Sequence, residues 1–176
     1  MAFELQPTLQ GDLLHLRPLT PVDFDELYAV AADPLIWEQH PHFDRYKKDV
    51  FEKFFADALG SRGAFAAIDN QTSKIIGSSR FANLDEQKRE IEIGWTFLAR
   101  SHWGGRYNRE MKRLMVNHAL RFVKTVVFLV GPKNFRSQRA LAKIGALPAG
   151  SLLHATRGEN LVFQITQPQM HTDSRR

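Results

Sequence analysis

The stretch Ala99-Arg-Ser-His-Trp-Gly-Gly-Arg-Tyr-Asn-Arg-Glu110 joins a segment with the pattern of a β-strand to a segment with the pattern of an α-helix. Before it, apolar residues alternate with other residues over 90–97, which predicts a strand with two different faces. After it, apolar residues recur at helical spacing over 111–122, which predicts one buried helix face. Four polar residues fall on the opposite face of that helix: Lys112, Arg113, Asn117 and Arg121.

The Gly-Gly turn between strand and helix has the features of an anion site. The first turn of a helix leaves backbone N–H groups unpaired, and the helix dipole adds partial positive charge there. Gly104 and Gly105 would let the backbone approach a ligand closely, and three arginines surround them: Arg100, Arg106 and Arg109. This pattern predicts a phosphate or pyrophosphate site, with a simple tight turn as the alternative. The glycine motifs of nucleotide P-loops and of dinucleotide-binding folds are both absent.

The segments after this helix predict a buried strand and a capped helix. Residues 125–130 form a short, continuous apolar run, as in a fully buried strand, and Gly131-Pro132 ends it. Asn134 is placed to cap the next helix. Three residues would share one face of that helix: Ser137, Leu141 and Ile144.

The remaining segments complete a mixed α/β fold. Their patterns predict a strand over 13–18, a helix capped by Thr20, a helix over 44–59 ended by Gly60, a hairpin of 64–68 and 74–81, and two last strands over 147–156 and 160–166. This order predicts a central, partly antiparallel twisted sheet flanked by helices. We expect a single domain over 1–176, with its core over about 12–166 and a frayed tail over 167–176.

Composition restricts the class of protein. The 176 residues are 43% hydrophobic and 24% charged, as in an ordinary globular domain. The net charge of +5 fits an anionic cofactor, an acidic substrate or an RNA-associated partner, and does not choose among them. The absence of cysteine excludes disulfides, thiolate zinc sites and a cysteine nucleophile. We find no secretion signal and no apolar run near the roughly 20 residues of a membrane span, so we expect a cytoplasmic protein.

The order of motifs resembles that of the GNAT acetyltransferases, and most closely the subgroup that acetylates ribosomal-protein N-termini. The resemblance rests on four motifs: Glu92-Ile-Gly-Trp95, Trp103-Gly-Gly-Arg-Tyr-Asn-Arg-Glu110, Asn134-x-x-Ser137 and Lys143-x-Gly145. It implies a GNAT-like acyl-CoA N-acyltransferase fold in which two splayed parallel strands hold acetyl-CoA. The implied activity is direct acetyl transfer to a primary amine, which would be a protein N-terminus or a small amine.

The resemblance also implies which residues contact the cofactor. The pyrophosphate would lie on the turn formed by Trp103, Gly104, Gly105, Arg106, Tyr107, Asn108 and Arg109. The pantetheine arm would pair with the backbone near Phe97 and Leu98 and would contact Asn134. Two residues depart from the family pattern: Arg106 stands where glycine is usual, and Leu141 stands where many relatives carry a tyrosine that acts as general acid.

Glu92 is the candidate for the base that deprotonates the acceptor ammonium, directly or through a water. Alternation along the strand would place it on the face opposite Ile93 and Trp95. The alternative is a structural carboxylate paired with Arg80 or Arg89.

With the tyrosine absent, Ser137 is the candidate for the group that serves the departing thiolate, because the Asn-x-x-Ser motif recurs in the ribosomal-protein subgroup. The alternative is that Ser137 only satisfies a backbone group in the first helical turn. We expect structural roles for three other residues: His102 at the surface, His118 in the core, and Glu110 as a stabilising charge at the helix N-terminus.

On the acceptor side, Trp37 and His40 lie in the irregular segment 35–43 and could line a pocket. The alternative for Trp37 is packing on the core. His40 and His42 have no third ligand in sight, so we expect no metal site.

Two other classes of function are alternatives to an acetyltransferase. A GNAT-like module could hold CoA or another anion as a sensor without turnover. Direct nucleic-acid binding is not expected, because the aromatic platform of a known RNA module is missing. The sequence leaves the acceptor and the oligomeric state open, with a homodimer as one alternative.

Overall fold

The computed structural model describes residues 2–155 and 158–167, and within them eight strands form one sheet. The strands are β1 Leu9–Gln10, β2 Leu14–Pro18, β3 Ala64–Asp69, β4 Ile75–Asp85, β5 Glu90–Leu98, β6 Thr125–Val130, β7 Leu147–His154 and β8 Gly158–Thr166. The α-helices are α1 Phe24–Ala31, α2 Lys48–Ser61, α3 Arg106–Ala119 and α4 Phe135–Lys143. Except for Gln167, the predicted tail lies outside the described residues.

The sheet has the order β1-β2-β3-β4-β5-β6-β8-β7. Neighbours are antiparallel except for β5 and β6, which are parallel. Buried side chains of α3 and α4 pack on one face, and those of α1 and α2 pack on the other. The predicted mixed sheet with helices on its faces is therefore confirmed.

The parallel pairing of β5 and β6 is short. It joins Glu90 to Thr125, Ile91 to Val126 and Glu92 to Val127, and no pair follows. Since β5 continues to Leu98 and β6 to Val130, their carboxyl halves are not paired to each other. This leaves a gap in the middle of the sheet.

A β-bulge interrupts β5 beside this gap. Trp95 and Thr96 lie opposite the single residue Ser79 of β4, and Trp95 has a positive φ of 52°. The extra residue reverses the alternation of faces. Ile93 packs on the α3 side, whereas Trp95 and Phe97 pack on the α1–α2 side. The prediction that Trp95 and Phe97 share a face with Ile93 is therefore wrong. It assumed that side chains alternate strictly along the strand, and an inserted residue breaks that alternation.

Helix α2 also differs from its prediction. It begins at Lys48, four residues later than predicted, and continues through Gly60. The helix ends where Arg62 adopts the left-handed conformation with φ of 52° and donates its N–H to the Leu59 carbonyl. Gly60 was expected to supply this ending, but the chain places the left-handed residue two positions later.

Glu110 holds the turn between β1 and β2. Its carboxylate accepts the backbone N–H groups of Asp12, Leu13 and Leu14 at 3.1, 2.7 and 3.0 Å. A side chain at Gly11 would place its Cβ 2.6 Å from the Glu110 Oε2 atom, so that position requires glycine. The expected role of Glu110 at the N-terminus of its own helix is wrong, because the carboxylate reaches the neighbouring strand pair instead.

We predict that Glu110→Gln lowers the free energy of unfolding by about 1.5–3 kcal/mol, the range for hydrogen bonds to a charged group. An amide offers one oxygen and turns an N–H₂ group toward backbone donors. Urea unfolding monitored by circular dichroism measures the change. Glu86→Gln is the matched control, because Glu86 is exposed in a turn. Equal stability of the two variants would contradict this role of Glu110.

Candidate active site

The gap between β5 and β6 opens into a cavity of about 460 Å³. It is bordered by both strands, the turn before α3, the first turns of α4, and the segment between α1 and α2. Most of the predicted site residues line it: Trp37, His40, Glu92, Phe97, Leu98, Trp103, Gly104, Gly105, Asn108, Arg109, Asn134 and Ser137. Arg106 and Tyr107 do not.

The glycine turn lies at one end of the cavity. Gly104 and Gly105 have φ of 105° and 98°, and α3 begins at the next residue. A Cβ added at either glycine would meet no atom within 4 Å. Glycine is therefore needed here for its backbone conformation, and the space in front of the turn is open to a ligand.

Tyr107 and His102 tie this turn to the hairpin of β3 and β4. The Tyr107 hydroxyl donates to Asp69 at 3.3 Å, and His102 Nε2 lies 3.5 Å from the same carboxylate. Burial tends to raise the pKa of Asp69, but hydrogen bonds from Gln71, Thr72, His102 and Tyr107 outweigh burial and hold the pKa below its ordinary value. The cofactor contact of Tyr107 stays a prediction, and the structure gives its hydroxyl a supporting contact.

One backbone group predicted to bind the cofactor, the Leu98 carbonyl, already accepts a hydrogen bond from a tryptophan. The Trp103 indole N–H donates to the Leu98 carbonyl at 3.0 Å. The Arg136 guanidinium carbon lies 4.1 Å from the centre of the Trp103 ring, and Arg136 also donates to the Ile36 carbonyl at 2.8 Å. These contacts join the turn before α3, helix α4 and the segment after α1. No local sequence pattern indicated the role of Arg136.

Glu92 is buried at the end of the β5–β6 pairing and is 6% exposed. Its Oε2 atom accepts from the Asn83 side-chain amide at 2.6 Å. The structural alternative named Arg80 or Arg89. Arg89 donates to the Phe122 carbonyl instead, whereas Arg80 interacts with the charge of Glu92. Asn83 was not predicted, because strand pairing with a bulge brings it next to Glu92.

Two arginines contact aromatic rings close to the acceptor end of the cavity, which is the part bordered by Trp37, His40 and Glu92. The guanidinium carbon of Arg45 lies 4.7 Å from the Phe54 ring centre, and that of Arg80 lies 4.6 Å from the Trp95 ring centre. Burial lowers the pKa of each to about 10. Among the described residues, Arg80 Nε and Nη2 have no hydrogen-bond partner. Arg45 borders the cavity, whereas Arg80 does not border it and interacts with the charge of Glu92.

Trp37 and His40 border the same end. Trp37 is 2% exposed, and its indole donates to the Ala31 carbonyl at 2.8 Å, so it packs on the core as its alternative proposed. Burial, together with the charges of Arg45 and His42, lowers the pKa of His40 to about 3. His40 is therefore a neutral side chain at physiological pH.

Asn134 and Ser137 begin α4 beside the gap. The Asn134 side-chain oxygen accepts the backbone N–H of Ser137 at 3.2 Å, which confirms Asn134 as the helix cap. The Ser137 hydroxyl lines the cavity and makes no hydrogen bond with any residue that the structure describes. Leu141, one turn later, is buried in the core.

Lys112 also lines the cavity and is only 5% exposed. Its Nζ donates to Thr96 Oγ1 at 2.5 Å and lies 5.6 Å from the centre of the Phe128 ring. Burial lowers its pKa to about 7. The prediction that Lys112 faces away from the core is wrong, because α3 crosses the gap in the sheet, where a polar side chain can be buried.

Within residues 2–155 and 158–167, no group of three or more acidic or histidine side chains is placed to hold a metal ion. No helix there is long and apolar enough to cross a membrane.

Several solved structures with a similar architecture are acetyltransferases. A family model described as acetyltransferase (GNAT) domain matches residues 14–147. A GCN5-related N-acetyltransferase from Brucella melitensis is similar with a TM-score of 0.82 and 18% identity, covering 94% of this chain and 80% of that one. A search of curated proteins gave no match.

Two other similar structures contain CoA or a derivative. Mycobacterium smegmatis RimJ in complex with CoA-disulfide has a TM-score of 0.73 and 18% identity, covering 94% of this chain and 90% of that one. Spermidine N-acetyltransferase from Vibrio cholerae, in complex with CoA and spermine, has a TM-score of 0.68 and 15% identity, covering 89% and 97%. At these identities the likeness shows the fold.

Proposed function

Because the chain belongs to the GNAT acetyltransferase family, we propose that it transfers the acetyl group of acetyl-CoA directly to a primary amine in the cavity between β5 and β6. The observation that carries this proposal is the early end of β5–β6 pairing, which opens a cavity between the glycine turn and Glu92. A protein N-terminus is the acceptor favoured by the resemblance to the ribosomal-protein subgroup. A small amine is the alternative.

The cofactor is proposed to lie along the cavity with its pyrophosphate on the glycine turn. The unpaired N–H groups and dipole of α3 favour anions at that end, and Arg109 adds a cation that borders the cavity. The pantetheine arm would run past Phe97, Leu98 and Asn134. The Leu98 carbonyl already accepts from the Trp103 indole and has a second lone pair that could accept from the pantetheine arm.

The reaction is proposed to proceed by direct transfer. Glu92 takes a proton from the acceptor ammonium, directly or through a water, and the neutral amine attacks the thioester carbon. The attacking nitrogen loses its second proton to solvent, the carbon–sulfur bond breaks, and the electron pair of that bond remains on sulfur. The Ser137 hydroxyl would donate a hydrogen bond to that sulfur, because Asn134 already satisfies the first helical turn and the hydroxyl is not used elsewhere in the described chain.

The cofactor placement predicts that Gly105→Val weakens acetyl-CoA binding at least about tenfold, which corresponds to about 1.4 kcal/mol. The β-branched side chain disfavours the positive φ and stands in front of the phosphates. Isothermal titration calorimetry measures the affinity. Gly150→Val is the matched control, because Gly150 has a φ of 99° and lies on β7 outside the cavity. Unchanged affinity in Gly105→Val would show that the pyrophosphate lies elsewhere.

The base assignment predicts that Glu92→Gln keeps acetyl-CoA affinity but loses rate by about 10²–10⁴-fold. The loss should shrink at high pH, where the amine deprotonates unaided. Release of CoA thiol over a panel of amines and peptides, with the mass gain of an acetyl group, provides the assay and identifies the acceptor. Glu90→Gln is the control on the same strand. A chain that binds acetyl-CoA but acetylates nothing in the panel would favour the sensor alternative.

The thiolate assignment predicts that Ser137→Ala lowers kcat with little change in acetyl-CoA affinity or melting temperature. Losing one hydrogen bond to a charged sulfur corresponds to roughly tenfold or more in rate. Ser151→Ala, on the exposed strand β7, is the control. A lower melting temperature with unchanged kcat would instead assign Ser137 a purely structural role.

A further inference from the structure

Lys112 is a buried cation with no anionic partner. Its Nζ contacts the Thr96 hydroxyl and the face of the Phe128 ring, and no carboxylate of the described chain lies within ion-pair distance of it. Burying an ammonium group without an anion is costly, so such a group points to a functional role. The Lys112 side chain borders the cavity at the unpaired part of β5.

The departing thiolate needs a proton, and the titratable side chains other than arginine and Glu92 that border the cavity are His40, His42, His102, Lys112 and Lys143. His102 is already in contact with the Asp69 carboxylate, and Lys112 is the one that also contacts the unpaired part of β5 through Thr96. Arginines keep their protons near neutral pH, including Arg45, whose pKa of about 10 remains well above 7. His40 is neutral, because burial lowers its pKa to about 3, and it therefore has no proton to give as an acid. Ser137 can donate a hydrogen bond but is a poor acid. Lys112 has three N–H bonds when protonated, and Thr96 is its one hydrogen-bond partner in the described chain.

We propose that Lys112 donates the proton to the CoA thiolate that leaves on acetyl transfer, an inference that rests on the proposed function. The nitrogen–carbon bond of the new amide forms, the carbon–sulfur bond breaks, and the electron pair on sulfur takes a proton from Nζ. The products are the amide, the CoA thiol and a neutral Lys112 amine. Solvent, which receives the protons lost by the acceptor, returns one to Lys112.

The surroundings of Lys112 suit this transfer. Burial lowers its pKa to about 7, so the ammonium gives up a proton readily near neutral pH. A buried cation also stabilises an anion that develops beside it. The other charged groups that border the cavity lie on the segment between α1 and α2 and on β5, α3 and α4: Arg45, Glu92, Arg109, Arg136, Arg139 and Lys143.

The first test measures the pKa of the CoA thiol while CoA is bound to the protein. The ultraviolet absorbance of the thiolate is recorded as the pH is varied, and desulfo-CoA serves as the blank. We expect Lys112→Met and Lys112→Gln to raise the thiol pKa by about 1–3 units over the parent, since an opposite charge within a few ångströms lowers a pKa by that amount. Lys124→Met removes the same charge from an exposed position and should leave the titration unchanged. Melting temperatures check that each variant is folded.

The outcomes separate this inference from the proposed function. If CoA binds to the parent and to both Lys112 variants with the same thiol pKa, Lys112 does not serve the sulfur, and the acetyltransferase proposal stands. If CoA does not bind to the parent at all, both proposals fail.

The second test is kinetic. Lys112→Met should lower kcat by about 10²-fold while acetyl-CoA affinity is retained. Lys112→Arg keeps the charge but cannot release a proton near neutral pH, so it should remain slow. Full kcat in Lys112→Arg would show that charge alone is required and would overturn the role as proton donor.

Discussion

The parallel pairing of β5 and β6 ends after Glu92 and Val127, and the rest of the site depends on this limit. A sheet that stays paired along its whole length has no room for a ligand between its strands. Here the bulge at Trp95 and Thr96 redirects β5 next to the place where pairing stops. The helices that follow the two strands then place a glycine turn and a helix cap on either side of the gap.

The bulge has a second effect, because it decides which side chains reach which side of the gap. It turns Trp95 toward α2 and Arg80, so that the acceptor end is built from aromatic rings and arginines. It turns Thr96 toward α3, where its hydroxyl meets Lys112. The inserted residue thus separates the acceptor side of the gap, which holds Glu92, from the α3 side, which holds the buried Lys112 side chain.

The elements with local signals could be predicted from sequence. The strand over 125–130 and the cap at Asn134 were predicted correctly, because an apolar run and a capping residue act on their own neighbours. The gap between β5 and β6 was expected only because the sequence motifs resemble those of the GNAT acetyltransferases. The partners Asn83 and Arg136 were not predicted, since they meet Glu92 and Trp103 only after the sheet and α4 have assembled. The burial of Lys112 was missed because helical periodicity assigns a charged residue to solvent.

The bond between the Trp103 indole and the Leu98 carbonyl has a consequence for the state of the site before any ligand arrives. The indole is held by this bond, and its ring is stacked against Arg136, which also donates to the Ile36 carbonyl. A carbonyl oxygen has two lone pairs, so a donor on a ligand could pair with Leu98 without displacing the indole. The turn before α3 is therefore pre-organised, and a ligand that binds there would lose little affinity to the ordering of these side chains.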